Sequence, residues 1–164
     1  MDGIGIADLM AAAGLTHGAF YTYFDSKADL VEAACATALR DTMAKWEARP
    51  DADTPYLKHV VETYLSAGHA QSMGEGCALA ALGGDIARSG PQVRAAAARG
   101  LERMVDAVAG ALPIRSRQTR QERATAIVAT MIGSLVMARI VEGDGELESV
   151  LAAGRDRALA AAIA

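Results

Sequence analysis

The sequence predicts an all-α protein: a head of short helices joined by a tight turn, followed by a larger helical body. Three observations predict it. Ala occurs 37 times in 164 residues while Pro occurs only 4 times, and Ala loses no side-chain entropy in a helix. Apolar residues recur at helical spacing nearly throughout, with no convincing strand alternation. The breaks fall at cap-plus-Pro or Gly-rich points, where helices start and stop. Hydrophobic residues make up 52 % and charged ones 22 %, enough for a sizeable core and against wholesale disorder.

The elements follow in order. A short helix over Ile6 to Ala13 sets Ile6, Leu9, Met10 and Ala13 on one face, and Gly14 ends it as a residue tolerant of left-handed backbone. Thr16 then caps a second short helix over His17 to Phe24. Ser26, with Asp29 at the third helical position, opens a longer helix towards Trp46. Arg49 to Pro55 reads as a linker and divides the chain into residues 1–48 and 49–164. Thr54 as cap and Pro55 at the first position predict one helix to Ala70. Cys77 begins a helix ending near Arg88, and Ser89-Gly90-Pro91 starts another to Leu112. Two more are predicted over Thr119 to Val141 and Glu146 to Ile163, parted by Gly143-Asp144-Gly145.

Several function classes drop out. Two cysteines without a C-x-x-C exclude a disulfide scaffold and give no zinc or redox pair. The longest apolar run, Ala124 to Ala138, is 15 residues between Arg123 and Arg139, short of the about 20 a membrane span needs. Met1-Asp2-Gly3-Ile4 lacks a basic and an apolar signal region, so a cytoplasmic chain without membrane contact is expected. No catalytic constellation stands out, and no cofactor or metal is expected. Gly3-x-Gly5 has Asp8 where a dinucleotide fingerprint needs its third Gly. His59 and Glu62, one turn apart, supply at most two metal ligands and read as a surface pair.

The informative stretch is Ala12-Ala13-Gly14-Leu15-Thr16-His17-Gly18-Ala19-Phe20-Tyr21-Thr22-Tyr23-Phe24-Asp25-Ser26-Lys27. A helix, a Gly-started turn and a capped second helix are what a helix-turn-helix requires, and its second helix can enter a DNA major groove. Ala12, Ala13, Gly14, Leu15, Thr16, Gly18, Phe20, Tyr21, Tyr23, Phe24, Ser26, Lys27 and Leu30 fall at the fixed spacings of the tetracycline-repressor (TetR/AcrR) family of transcriptional regulators, which residues 4–40 sharply resemble. The resemblance implies that Thr16, His17, Gly18 and Thr22 face operator DNA. It likewise implies that Tyr21 and Tyr23 bond the DNA backbone and that Lys27 meets a phosphate. The competing reading makes the tyrosines packing residues and Lys27 a solvated charge.

Family members carry a basic amphipathic helix ahead of the position of Ile6. The expectation is therefore an N-terminally truncated chain whose true start lies upstream. Residues 1–48 hold 3 Lys/Arg against 7 Asp/Glu, a net −4, and residues 49–164 hold 13 of each. Since non-specific affinity comes from neutralised phosphates, this form is expected to bind DNA poorly.

In residues 49–164, Tyr56, His59, Tyr64, His69, Met104 and Met131 are polar-tipped or adaptable side chains in an Ala/Leu/Val background. They are candidates to line an effector cavity; the alternative is an ordinary helical core. Gly76-Cys77 with Asp85-Ile86 resembles a subgroup of the same family in which some members sense electrophiles or oxidants through a Cys here. Cys77 is thus either a sensor thiol, assisted by Arg139, or a packing residue. The last two helices, with Ala124, Ile127, Val128, Met131, Leu135, Ala138, Leu147, Val150, Leu151 and Leu159, read as a hairpin core or, by the resemblance, as a homodimer interface.

These readings converge on a repressor released from its operator by a small apolar or electrophilic effector. The alternative from another class is a truncated helical ligand-binding or dimerisation protein without DNA binding.

Overall fold

The computed structural model describes residues 4–48 and 53–163. Among them every regular element is helical: α1 Ile6–Ala12, α2 His17–Tyr23, α3 Lys27–Glu47, α4 Tyr56–Tyr64, α5 Ala67–Gln71, a 3-10 turn Met73–Glu75, α6 Ala78–Arg88, α7 Pro91–Gly110, α8 Arg117–Ala138 and α9 Asp144–Ala160. Of the expected linker, Arg49 to Ala52 lies outside the described residues, as do Met1 to Gly3.

The local signals place the head closely. Gly14 takes φ +70°, a conformation costly for any residue with a Cβ. The Leu15 N–H then reaches back to the Met10 carbonyl at 2.8 Å. Thr16 and Ser26 cap α2 and α3, accepting from the N–H groups of Ala19 and Asp29 at 3.3 and 3.2 Å. Each cap satisfies a helix-terminal donor, worth about 1 kcal/mol.

The helix expected over 54–70 is instead two helices. The chain leaves α4 at Leu65, and Ser66 caps α5 by accepting from the His69 N–H at 3.2 Å. The carbonyls freed by the break find partners from side chains. Tyr64 O accepts from His69 Nδ1 and Leu65 O from Arg155 Nη1, both at 2.7 Å. Pro55 stands at the N-cap of α4 rather than at its first position. α8 starts at Arg117, earlier than expected, on a Ser116 cap, and α9 starts at Asp144 after Gly143 at φ +102°. Both end short of the expected Val141 and Ile163.

α3 lies along α7, α7 against α8, and α9 along α8. The core between them holds Leu39, Trp46, Val60, Val61, Tyr64, Leu65, Met104, Ile127, Met131, Leu135 and Leu151, all essentially inaccessible. Two glycines set the approach. A Cβ on Gly100 of α7 would run into Leu39 of α3, and one on Gly154 of α9 into Ser134 of α8. Polar pairs tie the head-proximal half of α3 to α7: Gln92 Nε2 donates to Asp29 Oδ1 at 2.6 Å, and Arg99 pairs with Glu32 at 3.1 Å. The Gln92 amide, then the Ser26 hydroxyl, holds the Asp29 carboxyl below its usual range.

Candidate functional site

The head presents one face of α2 to solvent. Phe20 is fully buried, stacking tilted against Phe24 at 5.6 Å, so the opposite side of the same helix must point outward. Thr16, His17, Gly18, Tyr21, Thr22 and Tyr23 are all exposed, Tyr21 at 56 % and Tyr23 at 73 %. His17 meets Tyr21 edge-on at 5.6 Å, one turn along. Tyr23 therefore takes no part in the head's core, whereas the ring of Tyr21 packs edge-on against Phe20 at 5.2 Å and leaves its outer half exposed. Lys27 is different. It is half-buried, and its Nζ donates to the Ile4 carbonyl at 2.7 Å, tying the start of α3 to the segment before α1.

The second group of candidates divides. Tyr64 and His69 line a cleft of about 260 Å³ between the ends of α3 and α4, α5 and the 3-10 turn. Thr42, Lys45 and Trp46 of α3 line it too. Sequence reasoning missed these three because it placed α3 wholly in the head. Trp46 and Tyr64 meet edge-to-face at 6.0 Å, and Tyr64 and His69 at 4.8 Å. Met104 and Met131 are buried core residues away from that cleft, and Tyr56 packs half-buried against the core. His59 sits outside the cleft, its Nε2 3.4 Å from Lys45 O, while Glu62 pairs with Lys58 at 3.8 Å. Among the described residues no three metal-ligating side chains come together.

Behind the cleft lies a buried polar cluster. His69 Nδ1 donates to Tyr64 O, and His69 Nε2 accepts from the Cys77 N–H at 3.0 Å. Those two partners fix a neutral ring. Burial, then the nearby charges of Arg139 and Lys45, push its pKa down against the opposing bond to Tyr64 O. Arg139 donates from Nε to Ala70 O and from Nη2 to His69 O at 3.3 and 3.2 Å, yet its Nη1 is buried without a partner. The Tyr64 hydroxyl is also buried, and burial followed by the neighbouring Cys77 thiol raises its pKa. Cys77 is the N-cap of α6 and is 0 % exposed. The cluster leaves no room at Gly76, where a Cβ would strike Arg139 and crowd His69 and the Ser72 carbonyl.

The last two helices show which of their faces is free. Ala124, Ile127, Val128, Met131, Leu135 and Ala138 point into the chain's own core, as does Leu151. The outward stripe of α8 is a different set at helical spacing, with Ala126, Gly133 and Met137 exposed and Thr130 half-buried, and exposed Ile140 continues it just past the helix end. Met137 is 58 % and Ile140 73 % accessible. No helix is long and apolar enough to cross a membrane among the described residues.

Comparisons with known proteins agree with this architecture. No curated protein matches the chain. A crystal structure of E. coli NemR in its reduced form superposes with a TM-score of 0.64 at 20 % identity, covering 94 % of this chain and 86 % of that one. At that identity the likeness is one of fold. Residues 1–34 match the family model described as bacterial regulatory proteins, tetR family. With that match over residues 1–34 and an exposed second helix behind a left-handed Gly14 turn, the head is similar to the DNA-binding segment of that family, and the chain as a whole shares the fold of the NemR structure.

Proposed function

We propose that the chain is an operator-binding repressor, with residues 1–48 as the DNA-binding head and residues 49–164 as an effector-binding and dimerising body. The observation that carries the first half is the division of α2, with Phe20 buried on one side and His17, Tyr21, Thr22 and Tyr23 exposed on the other. Base edges are read by such an outward helix face, and hydroxyls and backbone N–H groups reach phosphates. Thr16 and Tyr23 take phosphate-contact roles in this reading, and Gly18 allows close approach. Lys27 acts as a brace through Ile4 O at the start of α3, and its positive charge stands on the same side of the head as a phosphate-contact candidate.

Release from DNA needs an effector with unequal affinity for two states. The cleft at Tyr64 and His69 supports an effector site, since its α3 wall belongs to the helix whose other end braces the head. Cys77 supports a reactive-effector reading only if its buried thiol becomes accessible. The exposed apolar stripe on α8 supports a homodimer through α8 and α9. Two heads would then read half-sites about 34 Å apart.

The test is fluorescence anisotropy on DNA flanking the gene, using this chain and any in-frame upstream extension of it across about 50 to 200 mM salt. The expected result is saturable binding that weakens steeply with salt and falls with His17→Ala or Tyr21→Ala. Salt-independent binding, or variants that bind as well as the parent, would overturn the reading.

A further inference from the structure

A second opening lies between α3 and α6 and shares no residue with the cleft at Tyr64 and His69. On α3 its wall is Val31, Ala34, Cys35 and Ala38, and on α6 it is Ala78, Leu82 and Ile86. Those positions recur every three or four residues, so each set lies on one face of its helix. The two apolar faces do not fill the space between them, because α6 packs mainly on α7 and α8 and meets α3 only lightly. Ala34, Ala38 and Ala78 are too small to close it, and about 250 Å³ stays open.

The pocket is reachable from solvent. Ala34 and Leu82 are exposed at its mouth, Val31 and Ala38 are half-buried, and Cys35, Ala78 and Ile86 form a buried floor. Its chemistry is narrow. Every lining side chain is hydrocarbon except the Cys35 thiol, a weak hydrogen-bond donor, which burial and then the nearby Cys77 keep protonated. A polar group carried to that floor would lose its water and find no strong partner. The dimensions exclude a macromolecule. A stable protein interface buries about 800 Å² on each partner, and Leu82 is the one exposed large hydrophobic residue on this groove. They do suit a small molecule: an apolar cavity of about 150 Å³ already holds benzene, and the usual drug-sized site begins at about 300 Å³.

We propose that the α3–α6 pocket binds an uncharged aromatic hydrocarbon of one or two rings, seated on Cys35, Ala78 and Ile86 beneath Leu82. The proposal adds a site to the effector-binding body and rests on the repressor reading for its regulatory role alone. A ligand there joins α6 to the helix whose start braces the head through Lys27 and Ile4. It therefore favours one setting of α3 against the body over the others.

The experiment follows the methyl NMR signals of the full chain during titration with benzene and with pyrazine, the same ring with a nitrogen at each end. The expected result is saturable shifts of the Ala34, Ala38 and Leu82 methyls at millimolar benzene, with intermolecular NOEs to them. Affinity for pyrazine should be at least about ten-fold lower. Ala38→Leu, which fills the pocket, should lose benzene affinity by about ten-fold or more while melting no lower than the parent. If that variant fails to fold, the NOEs in the parent decide. Benzene shifts confined to other methyls, equal affinity for pyrazine, or full affinity in a folded Ala38→Leu would overturn the proposal. A Leu82→Asp chain that sediments at half the parent's mass would assign the groove to a second copy and overturn it as well. The anisotropy assay separates the site from the function it rests on. Benzene that fills the pocket yet leaves DNA affinity unchanged overturns the regulatory role alone. DNA binding by a chain that takes up no benzene overturns the hydrocarbon site and leaves the repressor standing.

Discussion

The imidazole of His69 joins two breaks in the chain: its Nδ1 donates to Tyr64 O at 2.7 Å and its Nε2 accepts from the Cys77 N–H at 3.0 Å. One neutral ring thus ends α4 and anchors the start of α6. Protonation would put a second N–H opposite the Cys77 N–H, replacing an attraction with a repulsion.

A pH dependence follows from that pairing. The folded chain lowers the His69 pKa below its ordinary value of 6.5, so in the window just below 6.5 the unfolded chain binds more protons. Stability contributed by His69 is therefore complete above about pH 6.5 and declines as pH falls through the folded pKa, at no more than about 1.4 kcal/mol per pH unit. Thermal melts of the parent and His69→Gln between about pH 5 and 8 check this. The parent's advantage should shrink towards the acid end; a constant difference would show that the ring's charge state is irrelevant.

Gly100→Ala should destabilise, against the helix propensity of Ala. The new Cβ would collide with Leu39 where α3 and α7 approach, and overpacking costs about 1–3 kcal/mol. For a chain of this size each kcal/mol moves Tm by about 2–4 °C. Gly83→Ala is the matched contrast, since it lies within α6 with nothing near its Cβ position. It should raise Tm slightly, by about 0.4–1 kcal/mol of stability. Calorimetry on the two variants gives opposite signs if the α3–α7 contact is as tight as described.

Both thiols should resist alkylation in the native chain. Cys35 is 7 % exposed and Cys77 0 %, and burial, then proximity to Cys77, raises the Cys35 pKa. Iodoacetamide labelling at neutral pH, followed by mass spectrometry, should proceed only as fast as local opening permits. Labelling of Cys77 within minutes, ahead of Cys35, would instead show that residues 72–77 open readily and would favour the sensor thiol.

The head was legible because its signals are local. Gly14, Thr16 and Ser26 act on residues within four positions of themselves, and α1 ends and α2 and α3 begin where those residues place them. The break at Leu65–Ser66 was not, because Arg155, 90 residues away, supplies the donor that makes it tolerable. The brace from Lys27 to Ile4 spans 23 residues and is equally invisible to periodicity. The effector candidates divided for a related reason. Met104, Met131, Tyr64 and His69 all sit at helical positions in an apolar background, and only the packing decides which face a cleft. Periodicity also identifies an apolar helix face without saying whether it meets its own chain or another. That ambiguity explains why Ala124, Ile127 and Leu135 stood for both a core and an interface.

The stripe on α8 supplies the means to separate those two meanings. Ile140 and Met137 are exposed, so a charge at either position should leave the isolated chain's stability within about 0.5 kcal/mol. In a two-fold dimer each substitution occurs twice. Desolvating an unpaired Asp side chain at about 2 kcal/mol per copy weakens association by about 4 kcal/mol, near a thousand-fold. Sedimentation of the parent should give twice the chain mass at micromolar concentration, and Ile140→Asp or Met137→Asp the single chain mass with an unchanged helical spectrum. Val128→Ala, buried at 1 %, should do the reverse, lowering Tm through a core cavity while leaving the mass doubled. A dimer indifferent to both Asp variants would place the interface elsewhere than α8.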